Sequence, residues 1–178
     1  MSMPQRPEPA KLVVGVFLKD RGLFPGIAGE LAAAFGALDL VSPWMAFDYT
    51  SYYEQEMGAP LWRRMLVFQP LIEQDQLVEM KLATNAMEQT RTVAGRRQVN
   101  IDPGYLLLER FVLATGKNFS HRIYLGRGIY ADLTLIYRQG AFRALPWTYP
   151  DYGGQSLGRF LQAVRRKYAA DIKGPPVA

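Results

Sequence analysis

The sequence contains no cysteine and a single histidine, His121. The absence of cysteine excludes disulfides, thiolate zinc sites, iron–sulfur clusters and a cysteine nucleophile. One histidine is too few for a His-rich metal site within one chain, and any Ser-His-Asp triad would have to use His121. No apolar run approaches the roughly 20 residues of a membrane span, and no targeting signal is present. We therefore expect a cytoplasmic protein without a membrane partner.

The sequence also lacks the phosphate-binding motif G-x-x-x-x-G-K-[ST] of P-loop proteins. Residues 126–131 (GRGIYA) match the G-x-G-x-x-A form of the dinucleotide fingerprint, which requires a helix that begins at the second glycine. The residues that follow instead alternate between apolar and polar types, as in a strand. We interpret the two glycines as part of a hairpin loop.

The composition indicates one ordered domain that favours anionic partners. The chain has 178 residues, of which 49% are hydrophobic and 21% are charged, a balance typical of globular proteins. Its net charge of +5 favours anionic partners, but the basic residues are dispersed, so nucleic acid is a less favoured partner than a small anionic ligand. We predict a disordered leader over residues 1–10, a single domain over 11–172 and a disordered tail over 173–178. The oligomeric state stays open.

The pattern of apolar residues predicts an α+β fold. Strands are expected at residues 11–19, 38–47, 61–68 and 97–101, and amphipathic helices at 24–35 and 75–90. The order strand, helix, strand, strand, helix, strand is that of a ferredoxin-like βαββαβ half whose helices cover one face of the sheet. A β-hairpin and a C-terminal helix are predicted to follow this half.

The segment between the two halves is predicted to leave the sheet. Residues 102–105 (DPGY) form a turn signature, in which Asp opens the turn, Pro fixes φ and Gly accepts a positive φ. In residues 105–114 the charged pair Glu109-Arg110 interrupts a strand pattern, so we expect a short buried helix there. Ser156 is expected to cap the C-terminal helix.

The hairpin around the Gly-Arg-Gly loop supplies candidate ligand-binding residues. A three-residue loop would pair Arg122 with Asp132 and Tyr124 with Tyr130. The Arg122–Asp132 pair is then either a solvated ion pair or, with Tyr124, the floor of a site where Arg122 binds phosphate. A different loop length would instead place His121 beside Asp132.

Polar residues before the hairpin and an aromatic loop after it complete the candidate site. Lys117 offers a cation to an anionic ligand, and His121 could act as a general acid or base. The stiff loop at 146–152 can stack on a base or sugar, and it supplies further candidate ligand-binding residues: Trp147, Thr148, Tyr149, Asp151 and Tyr152.

Carboxylates provide the remaining candidates. Asp102 is a second catalytic candidate beside His121. Asp102, Asp132 and Asp151 could hold Mg²⁺, although the sequence does not otherwise indicate a cofactor. Ser51 and Glu54 fit a helix capping box, which leaves three neighbouring polar residues for a metal or substrate site: Asp48, Tyr52 and Glu56.

Four strings together resemble a bacterial family known as domain of unknown function 4416. They are FDYTSYYEQEMG (47–58), NIDPGYLLLERFVLAT (100–115), HRIYLGRGIYADLTLIY (121–137) and LPWTYPDY (145–152). The similarity covers nearly the whole chain, which implies a single-domain member. Some members carry the label GTP-binding protein, against which the missing P-loop motif weighs. The resemblance implies no activity or site residue.

These observations lead to one principal hypothesis and two alternatives. We expect the protein to bind a small anionic ligand, a nucleotide or another phosphate compound. If it is an enzyme, phosphate-ester hydrolysis or transfer fits best, with His121 as acid or base. The alternatives are a single-stranded RNA-binding module and a non-catalytic protein-interaction domain that docks through its aromatic loop. The principal hypothesis requires that the 102, 117–122 and 146–152 segments line one cleft.

Overall fold

The computed structural model describes residues 1–48 and 54–174, without the side chains of Glu54 and Gln55. The predicted capping box of Ser51 and Glu54, and Tyr52 with it, lies outside the described residues. None of the helices in the described part of the chain is long and apolar enough to cross a membrane.

The first half of the chain alternates strands and helices. Its elements are β1 (Ala10–Leu18), α1 (Phe24–Phe35), β2 (Leu38–Val41), β3 (Met45–Phe47), α2 (Glu54–Met57), β4 (Leu61–Ile72), α3 (Leu77–Gln89), β5 (Thr92–Val93), β6 (Arg96–Arg97) and β7 (Val99–Leu106). The second half consists of β8 (Arg110–Thr115), β9 (Arg122–Gly126), β10 (Ile129–Arg138), β11 (Ala141–Ala144) and α4 (Gln155–Asp171). Short 3-10 turns precede α1, α3 and α4.

Nine of these strands form one antiparallel sheet. Its order is β11-β10-β8-β7-β1-β4-β2, with β3 also paired to β4 and β9 also paired to β10, while β5 and β6 form a separate ribbon. The α+β class is therefore confirmed. The hairpin does not stand apart from the first half, because β8 joins β10 to β7 in the same sheet. The ferredoxin-like arrangement of the first half stays a prediction.

Strand β1 is the centre of the core, because all nine of its residues are buried. The charged Lys11 is accommodated by two carboxylates, with its Nζ 2.7 Å from an oxygen of Asp39 and 2.7 Å from an oxygen of Asp171. Burial raises the pKa of Asp171, but hydrogen bonds from Lys11 and Lys167 outweigh burial, and the net pKa is lowered. The end of α4 is thereby tied to the start of β1.

The predicted C-terminal helix is α4, which packs through an apolar stripe but begins differently from the prediction. Phe160 is partly buried, and four other stripe residues are buried: Leu157, Leu161, Val164 and Tyr168. Gly154 occupies the N-cap position without a side-chain hydrogen bond, so the predicted cap is wrong. Ser156 lies one residue inside the helix, where its hydroxyl cannot occupy the N-cap position.

The predicted helix over residues 105–114 is wrong, because this segment forms the end of β7, a tight turn and β8. The Leu107 N–H donates to the Arg110 carbonyl over 2.9 Å, which closes the turn. Glu109 is exposed in that turn. The charged pair therefore lies where the turn meets β8, with Glu109 in the turn and Arg110 as the first residue of β8, instead of interrupting a single strand.

The predicted turn at Asp102–Pro103–Gly104 is also wrong, because these residues lie inside β7. The N–H groups of Ile101 and Leu107 point away from β1 and donate to Glu88 and Arg110. Backbone direction alternates along a strand, so the nitrogen of Pro103 also faces away from β1. A strand tolerates proline where no partner needs its missing N–H. Gly104 is required by close approach, since a Cβ there would lie 2.4 Å from the Val112 carbonyl oxygen.

The predicted hairpin is confirmed in its register. Arg122 pairs with Asp132 and Tyr124 pairs with Tyr130, as a three-residue loop requires. Arg127 in the loop has a φ of 52°, and the glycines on both sides also have positive φ, which glycine adopts at little cost.

We expect Gly104→Ala to lower the free energy of unfolding by about 3 kcal/mol, because the added methyl group would overlap a backbone oxygen of the neighbouring strand. Gly158→Ala is the matched control: nothing lies within 4 Å of its added Cβ, and alanine in a helix interior should stabilise by about 0.5–1 kcal/mol. Urea denaturation followed by circular dichroism measures both. Equal effects of the two substitutions would contradict the close approach of β7 and β8.

Candidate ligand site

A gap in the sheet creates the site. Strands β7 and β8 pair only from Gly104 with Leu113 to Leu106 with Phe111, and beyond Gly104 they diverge. The unpaired, buried edge of β7 is then satisfied by α3: the Ile101 N–H donates to Glu88 over 2.7 Å, and Lys81 donates to the Ile101 carbonyl over 3.0 Å. Side chains of a helix thus replace a neighbouring strand.

A cavity of about 540 Å³ opens at this gap, and we call it the central cavity. Its volume lies within the range of roughly 300–1,000 Å³ that is usual for small-molecule sites. The lining residues come from β1, β3, α3, β6 to β10, the loop between β8 and β9, and the loop before α4: Phe17, Phe47, Lys81, Asn85, Glu88, Arg97, Asn100, Asp102, Leu113, Ala114, Thr115, Gly116, Lys117, Arg122, Asp132, Tyr149, Pro150, Asp151 and Tyr152.

The structure brings most of the predicted site residues to this cavity. The candidates that line it are Asp102, Lys117, Arg122, Asp132, Tyr149, Asp151 and Tyr152. The candidates outside its lining are His121, Tyr124, Trp147 and Thr148. The Thr148 hydroxyl donates to the Thr134 carbonyl and accepts from the Leu145 N–H, so it fixes the aromatic loop. Tyr124 is exposed and packs against the Tyr130 ring.

His121 is held in an aromatic stack outside the cavity lining. Its ring lies parallel to Trp147 at a centroid distance of 5.0 Å and edge-on to Phe119 at 5.4 Å. Its Nε2 is 3.2 Å from a carboxylate oxygen of Asp132, and its side chain is 10% exposed. The contacts of this histidine therefore connect the hairpin to the aromatic loop.

Asp132 is the acceptor that holds the Arg122 end of the cavity together. It accepts from Arg122 Nε over 2.9 Å and from the Thr134 hydroxyl over 3.2 Å, in addition to its contact with His121. The other arms of the guanidinium donate to the Lys117 carbonyl over 2.9 Å and to the Tyr149 hydroxyl over 3.0 Å. Burial lowers the pKa of Arg122, but its interactions with Asp132 and Tyr149 outweigh burial, and the net pKa is raised.

Elsewhere in the cavity lining, Asp102 lies between two hydrogen-bond donors. Lys81 Nζ is 3.1 Å from one carboxylate oxygen, and the Asn100 amide donates to the other over 2.6 Å. Arg97 donates in turn to the Asn100 side-chain oxygen over 3.0 Å. Each oxygen of Asp102 therefore accepts one hydrogen bond, and its side chain is 24% exposed.

Arg97 connects this part of the lining to two glutamates. It forms a bidentate pair with Glu56, at 2.6 and 2.8 Å, and also donates to Glu88 over 2.6 Å. The hydrogen bond from Arg97 lowers the pKa of Glu56, whereas burial raises the pKa of Glu88. The Glu56 bonds raise the pKa of Arg97, which therefore stays charged.

Asp151, another residue of the lining, belongs to a buried ion pair. Arg63 donates to Asp151 over 2.6 Å, and the two side chains are 3% and 7% exposed. The guanidinium lies 4.0 Å from the centroid of the Tyr152 ring and 5.0 Å from that of Phe17, as in cation–π contacts. Burial raises the pKa of Asp151 and of Tyr152.

The three carboxylates suggested for Mg²⁺ do not form a cluster. Asp102 is paired with Lys81, Asp132 with Arg122, and Asp151 with Arg63. In the part of the chain that the structure describes, no group of three His, Cys, Asp or Glu side chains is arranged to hold a metal ion.

The sequence analysis missed the contribution of α3 to the cavity. The helix at 75–90 was expected to be amphipathic, with no residue assigned to a site, but its Lys81 and Glu88 are buried and line the cavity. Lys81, Asn85 and Glu88 follow one another at helical spacing of four and three residues, so they form one stripe. In the sequence, this polar stripe beside Thr84, which is buried in the structure, was the only indication that α3 contributes to a site.

With this geometry established, comparison with known proteins identifies the family. The model of the family described as Domain of unknown function (DUF4416) matches residues 8–168, so the chain belongs to that family. The expected family membership is thus confirmed. Neither the curated proteins nor the solved structures contain a significant match.

We expect Asp132→Asn to lower the free energy of unfolding by about 3 kcal/mol, because it removes one partner of a buried ion pair. Glu79→Gln is the matched control, since Glu79 pairs with Arg127 on the surface, where both side chains are more than 60% exposed. Its effect should stay within about 0.5 kcal/mol. Chemical denaturation at pH 7 measures both, and a small effect of the Asp132 change would contradict its structural role.

Proposed function

We propose that the protein binds a small anionic molecule, a nucleotide or another phosphate compound, in the central cavity. One observation carries the proposal: side chains from the 102, 117–122 and 149–152 segments, which are distant in sequence, line the same cavity of about 540 Å³. A core does not need such a space, because protein interiors are normally close-packed.

The Arg122 end is the part of the cavity best suited to an anionic group. Three hydrogen bonds of Arg122 are used within the protein. A guanidinium has five N–H groups, so two remain for a ligand. Lys117 lies at the exposed margin of the same end. These two side chains would hold phosphate oxygens by charge-assisted hydrogen bonds.

The remainder of the lining suits a polar, ring-containing group. Asn85 offers an amide donor and acceptor that make no hydrogen bond to another described residue. Tyr149 is about half exposed at the rim, where its ring can stack on a base or sugar. The lining has equal numbers of cations (Lys81, Arg97, Lys117, Arg122) and anions (Glu88, Asp102, Asp132, Asp151). Recognition would therefore depend on hydrogen-bond geometry more than on net charge.

We propose binding of this ligand and no reaction on it. A hydrolase or transferase requires an acid or base that reaches the reacting atoms. Of the two catalytic candidates, His121 lies outside the lining and contacts Asp132, and Asp102 is engaged by Lys81 and Asn100.

A specific observation favours an interaction domain as the second candidate, although through a surface at β9 instead of the aromatic loop. Four apolar side chains on or near β9 are exposed: Phe119, Ile123, Tyr124 and Leu125. Apolar residues that are grouped on a surface mark protein-interaction sites. We take a second copy of the chain as the partner to be tested. Ile123→Lys should then abolish concentration-dependent association in sedimentation velocity, and a wild-type chain that is monomeric at all concentrations would exclude self-association.

A ligand-stabilisation experiment tests the principal proposal. Purine and pyrimidine nucleotides and sugar phosphates should be titrated, with and without Mg²⁺, while the melting temperature is recorded. A ligand present at 100 times its Kd should stabilise by about 2.7 kcal/mol. Lys117→Ala should raise the Kd about tenfold, because one charged contact is lost.

Lys173→Ala serves as the control for that substitution, because Lys173 is also exposed but does not line the cavity. Equal weakening by both substitutions would indicate a non-specific charge effect. If none of the nucleotides or sugar phosphates changed the melting temperature, the proposal would be rejected.

A further inference from the structure

A second cavity, of about 420 Å³, lies at the amino end of α4, and we call it the helix-end cavity. It shares Phe47 and Asp151 with the central cavity and is otherwise lined by different residues. These include the N-cap and the whole first turn of the helix: Gly154, Gln155, Ser156 and Leu157.

The first turn of α4 presents unsatisfied backbone donors to this cavity. The first N–H groups of any α-helix have no acceptor within the helix, and a side chain at the N-cap usually supplies one. Gly154 has no side chain, no side-chain capping bond is formed, and the first turn contains no acidic residue. At 17 residues, α4 is long enough for its aligned peptide dipoles to favour a negative charge at this end.

Arg63 provides a second, independent indication of an anion. Its side chain is 3% exposed and lines the helix-end cavity. Asp151 accepts from Nη1, but Nε and Nη2 are buried without a hydrogen-bond partner among the described residues. A buried donor without an acceptor is costly, so an acceptor beside these two nitrogens would stabilise this part of the protein.

Arg159, on the second turn of α4, is exposed at the same cavity. The cavity also has two carboxylates, Asp48 and Asp151, of which Asp151 is paired with Arg63. The unneutralised attraction for an anion therefore comes from the helix end and Arg159, opposed by the exposed Asp48.

From these observations we propose that the helix-end cavity is an oxyanion site that binds a phosphate group. The amides of Gln155 and Ser156 would donate to the phosphate oxygens, and Arg159 would contribute a charge-assisted hydrogen bond. This site is separate from the ligand site proposed in the central cavity. A P-loop motif is not needed for such a site. Gly154, the residue before the helix, is in extended conformation, with φ −68° and ψ 143°, and the first amides of the helix follow it directly.

Substitution of the N-cap gives the sharpest test. Gly154→Asp places a carboxylate on the same amides, and the observed φ and ψ are accessible to aspartate. It should raise the melting temperature of the free protein while weakening the affinity for inorganic phosphate about tenfold or more. Gly154→Asn should cap without charge and weaken phosphate binding less. A purely structural role for this position would not couple a gain in stability to a loss of affinity.

Inorganic phosphate is the probe, titrated at constant ionic strength against chloride. Binding is followed by melting temperature and by the amide chemical shifts of Gln155 and Ser156. Arg159→Ala should weaken the affinity about tenfold. Arg166→Ala, an exposed arginine on the same helix that does not line the cavity, should leave it unchanged.

The outcomes separate this proposal from the one on the central cavity. Lys117→Ala should affect nucleotide binding but not the shifts that phosphate induces at Gln155 and Ser156. The oxyanion site is overturned if phosphate leaves these amide shifts unchanged, if Gly154→Asp keeps the wild-type affinity, or if Arg159→Ala and Arg166→Ala weaken binding equally.

Discussion

The unpaired edge of β7 is the constraint on which the site depends. A buried strand edge must find donors and acceptors, and between Val99 and Asp102 no strand among the described residues supplies them on the side away from β1. Helix α3 does so with the Glu88 carboxylate and the Lys81 ammonium on the two backbone groups of Ile101. This arrangement keeps β7 and β8 apart, and the separation of those two strands is the central cavity.

The charges that hold this gap open are mutually neutralising. Each buried cation of the site has a carboxylate partner: Lys81 with Asp102, Arg122 with Asp132, and Arg63 with Asp151. Loss of one partner leaves an uncompensated buried charge. The stability of the fold therefore requires these pairs whether or not a ligand binds. The same pairing pre-orients the groups that face the cavity, which lowers the ordering cost of binding.

Local patterns predicted the parts of the fold that local physics determines. The apolar periodicity gives α1, α3 and α4, and the Gly-Arg-Gly loop gives the register of Arg122 with Asp132. The DPGY segment could not be read in this way. Pro103 and Gly104 have the chemistry of a turn, and only the presence of β8, whose Val112 oxygen leaves no room for a Cβ, reveals why they lie in a strand. Lys81 and Glu88 were not predicted as site residues for a related reason, because charged residues on a helix are normally solvated unless a neighbouring strand edge needs their hydrogen bonds.

The two cavities differ in how they can attract an anion. In the central cavity, equal numbers of lining cations and carboxylates cancel, so an anionic group gains from the two spare N–H groups of Arg122 and from the margin at Lys117. Affinity there would depend on contacts made by the rest of the ligand, such as stacking on Tyr149. In the helix-end cavity the attraction comes from backbone amides, which carry no countercharge of their own. Phe47 and Asp151 belong to both linings, and Asp151 anchors Arg63 between them. Any movement of this ion pair would therefore alter the two cavities together.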